Sequence, residues 1–141
     1  MSILSIHGSN GRINVRVFDY ERNADPGSSD ANWLRCHVAI EVDPFKAEYD
    51  ANFATQDFHR FRDGLDKLLN SLVGKATFSS DEPWLFFEIE IASGGGASVS
   101  GDAASLARPK SALHFVFNTD QSYLRTSLNE VNAILKKFPT R

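Results

Sequence analysis

Along most of this chain apolar and polar residues alternate, and in two stretches the apolar spacing lengthens to that of a helix. Strand side chains point to opposite faces in turn, whereas a helix gathers every third or fourth residue on one stripe. The sharpest alternation runs over residues 84–91. There Leu85, Phe87, Ile89 and Ile91 form one apolar row, and Trp84, Phe86, Glu88 and Glu90 share the other side. One row demands a core. The other begins aromatic and ends acidic, which suits neither a second core nor a plain solvated surface.

The same pattern orders the rest. Residues 3–7 are short and apolar, Gly8-Ser9-Asn10-Gly11 is a turn signal, and Ile13, Val15 and Val17 then alternate with Asn14, Arg16 and Phe18, predicting a hairpin. Residues 21–30 read as an exposed loop, in part disordered. Over 33–42, Leu34, Cys36, Val38, Ile40 and Val42 face one way and Trp33, Arg35, His37, Ala39 and Glu41 the other. After the Asp43-Pro44 turn, Phe45, Ala47, Tyr49, Ala51 and Phe53 continue the alternation, so these two runs should pair. A stripe of Phe58, Phe61, Leu65, Leu68, Leu69 and Leu72 predicts a helix over 56–73, with Thr55 as N-cap and Gly74 as its left-handed stop. Short strands at 75–79 and 84–91 follow. Gly94-Gly95-Gly96 then turns into Ala97, Val99 and Gly101, and 102–110 reads as a small-residue loop. Leu113, Phe115 and Phe117 make a last apolar row opposite Ala112, His114, Val116 and Asn118. Asp120 caps a second helix, marked by Tyr123, Leu124, Leu128, Val131, Leu135 and Phe138, until Pro139 ends it.

Short turns between neighbouring strands favour antiparallel pairing. The prediction is an α+β fold: a curved antiparallel sheet with two helices packed on one face and the other face open. Residues 1–141 read as a single domain, with two strands and a loop at 1–32 leading into an αβ core at 33–138.

Composition adds exclusions. The chain has 141 residues, 42% hydrophobic and 23% charged, with eleven phenylalanines. A domain of this size buries about two-thirds of its unfolded surface, so it needs no staple. A net charge of −3 without a basic cluster argues against a nucleic-acid partner and for a basic protein. Cys36 is the single cysteine, so no internal disulfide is possible and a reducing compartment is expected. Residues 1–12 have neither the basic start nor the apolar run of a signal peptide, and no run of 18 apolar residues occurs. The expectation is a cytoplasmic protein without a membrane partner.

The open face should carry Trp33, Arg35, His37, Glu41, Lys46, Glu48, Asp50, Trp84, Phe86, Glu88, Glu90 and His114. Aromatic anchors beside carboxylates fit a protein interface; the competing reading is that the N-terminal hairpin or the 21–30 loop covers the aromatics. An alternative function is a small enzyme or ligand-binding domain, in which His37, Glu41, Glu88, Glu90 and His114 converge as metal ligands or an acid and base pair. No His-Glu-x-x-His or paired-cysteine motif supports it. Cys36 and His37 are adjacent strand residues on opposite faces and cannot form a dyad. Ser93-Gly94-Gly95-Gly96 joins two strands and lacks the Lys-Ser/Thr of a phosphate loop.

Several segments together resemble the WapI-like group of bacterial immunity proteins. They are Trp33-Leu34 opening a strand, the helix with Phe61, Leu65, Leu68 and Leu72, Gly74-Lys75-Ala76-Thr77-Phe78 after it, Leu113 and Phe115, and Asp120-Gln121-Ser122-Tyr123-Leu124. The resemblance spans about residues 33–138 and fails over the first thirty residues and 93–110, where partner choice would be encoded. It implies a protein that binds and neutralises a toxin domain encoded beside it and is not an enzyme; it carries over no catalytic residue, metal or cofactor. The expected contact residues are Trp33, His37, Glu41, Glu48, Trp84, Phe86, Glu88, Glu90 and His114, with the glutamates facing basic toxin residues and the tryptophans as anchors. An edge strand could also pair with its own copy.

Overall fold

A computed structural model describes residues 2–21, 25, 27, 28, 30–106 and 110–141. It realises the alternation as β1 (Ser2–His7), β2 (Gly11–Tyr20), β3 (Trp33–Val42), β4 (Phe45–Ala54), β5 (Gly74–Ser79), β6 (Leu85–Ile91), β7 (Ala97–Ala104) and β8 (Ala112–Thr119). Two helices, α1 (Thr55–Ser71) and α2 (Gln121–Lys137), complete an α+β fold. All strand pairs are antiparallel, as the short turns require.

The chain is a four-stranded meander and a helix, made twice. The expected curved layer is divided into two sheets, β1-β2-β3-β4 (sheet A) and β5-β6-β7-β8 (sheet B). The division follows from α1, which intervenes between β4 and β5 and removes the short turn that could have paired them. α1 lies along β5 and α2 along β1, so each covers the first strand of the other repeat's sheet, and the two helices touch each other. The edge of β1 is satisfied by α2 side chains: Ser5 N–H donates to Glu130 at 3.0 Å and the Ser127 hydroxyl donates to the Ser5 carbonyl at 2.5 Å. One isolated bridge, Gly8 to Thr119, joins sheet A to sheet B at the far end, supported by Ser9 N–H donating to the Asn118 carbonyl at 3.1 Å.

The predicted apolar rows are the buried ones. Leu4, Ile6, Ile13, Val15, Leu34, Cys36, Val38 and Ile40 of sheet A share one hydrophobic cluster with Phe78, Phe87, Ile89, Val99, Phe115 and Phe117 of sheet B. An aromatic knot ties the halves together: the Phe78 ring lies 5.2 Å from Phe53 and from Phe87, 5.7 Å from Phe58 and 5.9 Å from Phe61. Edge-to-face and offset rings at such spacing add to the gain from burial alone.

The helix ends show where local rules yield. Asp120 caps α2 as expected, its carboxylate accepting Ser122 N–H at 2.8 Å. At α1 the cap position falls on Ala54, which has no side chain to offer. Asp57 folds back instead and accepts Ala54 N–H at 2.9 Å while pairing with Arg60 at 2.6 Å. Burial pushes the Asp57 carboxyl above its ordinary value, against these bonds. The left-handed residue that ends α1 is Leu72, at φ 60°, its N–H donating to the Leu68 carbonyl, while Gly74, at φ 127°, opens β5 two residues later.

Of the loop at 21–30, residues 22–24, 26 and 29 lie outside the described residues. Asn32 holds the backbone of Arg141 beside it, accepting its N–H at 2.7 Å. The 102–110 loop is shorter than expected, since Asp102 to Ala104 extend β7; its residues 107–109 are outside the described set.

Candidate functional site

The residues expected on one open face are distributed over two. Both inner rows feed one core, so each sheet's outer face is on the side away from it. Trp33, His37, Glu41 and Glu48 belong to sheet A; Phe86, Glu88, Glu90 and His114 belong to sheet B. Trp84 is on neither outer face. It precedes β6, half-buried, stacks on Tyr49 at 6.2 Å, and its carbonyl accepts the Tyr49 hydroxyl at 2.5 Å. Its indole N–H is buried without a partner among the described residues. It bridges the sheets rather than presenting an anchor. Trp33 is also half-buried, bordering a hollow with Glu21, Asp30, Asn52 and Glu82. The N-terminal hairpin covers neither tryptophan as a lid; it is the outer half of sheet A.

The outer face of sheet A is not acidic. Glu41, Glu48 and Asp50 share it with Arg12, Arg16, Arg35 and Lys46. Arg12 engages Glu41 at 3.1 Å. Both ring nitrogens of His37 meet carboxylates: Nδ1 to Asp50 at 2.9 Å and Nε2 to Glu48 at 3.0 Å. An ionised carboxylate only accepts, so keeping both bonds requires a doubly protonated imidazolium. The Asp50 bond, then the Glu48 bond, accordingly raises the His37 pKa above its ordinary value. With the folded pKa raised, this clamp contributes full stability below the unfolded value of about 6.5 and loses it as pH rises through the folded value. NMR titration of the ring is expected to show the raised midpoint, and His37→Gln is expected to flatten the fall in stability as pH rises from about 6.5 through that midpoint. A midpoint at or below that of an exposed histidine would sink this account.

Sheet B presents a regular grid. Register places Phe86 across from Asp102 and Asp102 across from His114; Glu88, Ser100 and Val116 form the next row; Lys75, Glu90, Ser98 and Asn118 the last. His114 Nδ1 pairs with Asp102 at 2.8 Å, and Lys75 reaches Glu88 at 3.3 Å and Glu90 at 3.9 Å. Three carboxylates against one lysine leave this face acidic. On this face Phe86, on the inner strand β6, is 40% exposed and Val116, on the edge strand β8, 55%. A hollow of about 390 Å³, lined by Pro83, Phe86, Asp102, Lys110 and Ala112 among others, opens beside Phe86. Asp102 and Val116 also lie on this outer face, although they are not among the open-face residues expected from the sequence. The signal for Asp102 was its place beside Gly101 in a continuing alternation, obscured by small residues that resemble a loop; for Val116, its place beside His114 in the outward row.

The arrangement offers no converging chemistry. His37 and His114 lie on different sheets, as do Glu41 and the Glu88–Glu90 pair, so the cleft of the enzyme alternative is not formed. No group of three His, Cys, Asp or Glu side chains among the described residues is placed to hold a metal ion. Cys36 faces the core, and burial pushes its thiol up to about 12, which makes it a poor nucleophile. Among the described residues no helix is long and apolar enough to cross a membrane.

No curated protein matches the sequence. Among solved structures the chain is similar to the plant transcriptional regulator PBF-2, with a TM-score of 0.57 at 10% identity over 96% of this chain and 81% of that one, a likeness of fold. A chain of the CdiA-CT/CdiI toxin and immunity complex from Enterobacter cloacae aligns with a TM-score of 0.47 at 10% identity, over 84% of this chain and 97% of that one. The model of the Immunity protein WapI-like family matches residues 3–139, nearly the whole chain including the N-terminal hairpin, and the protein belongs to that family.

Proposed function

We propose that this chain is an immunity protein that binds and neutralises a toxin domain encoded beside it, and that it holds that partner on the outer face of sheet B. The observation that carries the assignment is the exposure of Phe86 on β6 and Val116 on β8, on the outer face of sheet B, with Asp102 and Ser100 on the strand between them and Glu88, Glu90 and His114 beside them. Exposed aromatic and branched side chains in such a setting supply the desolvated centre of an interface. The surplus of carboxylates steers a basic protein toward it. Family membership supports the immunity role, and the net charge of −3 favours a protein over a nucleic acid. The reading asks no catalytic step of the chain, and its free core thiol suits a reducing cytoplasm. Trp33, His37, Glu41 and Glu48 would serve only a partner large enough to reach sheet A.

The test is co-expression with the C-terminal toxin domain of the neighbouring reading frame. Wild type is expected to restore growth and to be captured with the toxin. Phe86→Asp is expected to lose at least about 2 kcal/mol of binding and its protection, while keeping wild-type thermal stability. Full protection by this variant would move the site off sheet B.

A further inference from the structure

The open edge of β4 carries a second surface, distinct from the face assigned to the toxin. Two of the four sheet edges are covered by helices, β1 by α2 and β5 by α1, and β8 is bridged at its end to Gly8. Among the described residues nothing but β3 bonds to the backbone over residues 45–50. An unpaired edge of this length is a template for another strand. Beside it lies a slot of about 440 Å³ between the two sheets, walled by Ala47 and Tyr49 on one side and by Ala103, Ala104, Ala112 and Leu113 on the other. Phe45, at the start of the edge, is 60% exposed, and the fold gives it no cover.

We infer that the occupant is the β4 strand of a second copy of this chain, paired antiparallel about a twofold axis at Ala47. The axis, perpendicular to the sheet, sets outward residues against outward residues. Centred on Ala47, it places Lys46 opposite Glu48 of the copy twice, and Phe45 opposite Tyr49 twice. Both pair types are favourable across strands, and the methyl groups of Ala47 leave room for close approach at the axis. Centring on Glu48 would face that carboxylate with itself; centring on Tyr49 would set Glu48 against Asp50. The outward charges of this edge change sign between Lys46 and Glu48, the spacing that a twofold pairing centred on Ala47 uses. The product is a continuous eight-stranded sheet that leaves both sheet B faces free, so a dimer would hold two partners.

Sedimentation velocity on the full chain, from low-micromolar to millimolar concentration, tests this. Wild type is expected to pass from monomer to dimer. Lys46→Glu and Glu48→Lys are each expected to weaken the dimer about tenfold or more, and the double swap Lys46→Glu/Glu48→Lys to restore it, with far-UV circular dichroism unchanged throughout. A wild type that stays monomeric across the range overturns the proposal. So does a dimer indifferent to either reversal, and so does a double swap that fails to recover while still folded.

Discussion

Phe78→Ala is expected to lose about 3–5 kcal/mol of folding stability, a large part of the 5–15 kcal/mol typical of a domain. Phe78 is fully buried on β5, where its ring meets Phe53 of β4, Phe58 and Phe61 of α1, and Phe87 of β6. Those four partners come from both repeats. The alanine therefore loses the transfer of a whole ring from water and leaves a cavity that four rigid rings cannot close. Urea unfolding measures it as a lower midpoint at unchanged slope. A loss below about 2 kcal/mol would mean that the rings repack and that the knot is not what joins the halves. Phe86→Ala, one strand away and pointing outward, is the control and is expected to stay within about 0.5 kcal/mol of wild type.

Gly101→Ala is expected to destabilise by about 3 kcal/mol, although alanine normally favours a strand interior over glycine by roughly 0.5–1 kcal/mol. The sign turns on space. A methyl at this position in β7 would lie 2.3 Å from the Phe86 carbonyl oxygen and 2.8 Å from the Phe115 ring and from Phe87 Cβ. The first of these atoms is backbone held in the β6 ladder and cannot swing away, so β6 or β7 must shift. Because Phe86 is on that ladder, the shift disturbs the proposed toxin face as well. Gly101→Ala should thus lose binding together with thermal stability, whereas Phe86→Asp loses binding alone. Thermal unfolding of both variants separates the cases, and a Gly101→Ala protein more stable than wild type would show that β7 has room the close approach denies.

The enzyme alternative illustrates how a correct reading of faces can mislead about sites. His37, Glu41, Glu88, Glu90 and His114 all point outward as their alternation requires. Two of them are on one sheet and three on the other, and each carboxylate or imidazole is occupied with a neighbour in its own sheet: Arg12 with Glu41, Lys75 with Glu88 and Glu90, Asp102 with His114. Isolated ion pairs of this kind contribute little to stability, yet they change what the faces offer. They leave sheet A with mixed charge and sheet B with an acidic surplus.

What the sequence determined by itself was local and periodic. Alternation over 33–42, 45–53 and 85–91 assigned inward and outward residues correctly, since a strand's period of two needs no knowledge of its partner. The Asp43-Pro44 turn paired β3 with β4, the stripe from Phe58 to Leu69 marked α1, and Asp120 announced α2. The tertiary structure decided everything that depends on which element meets which. Alternation says that Trp84 and Phe86 share a side, but Trp84 lies before the strand begins and turns onto Tyr49. It says that Glu41 and Glu88 face outward, but whether one sheet or two holds them depends on α1 parting β4 from β5. Helical periodicity shows that α1 and α2 each have an apolar stripe, yet only packing sends each across to the other repeat's first strand. Period is a property of one segment, whereas the division into two sheets, the acidic face and the open β4 edge come from contacts between residues far apart in the chain.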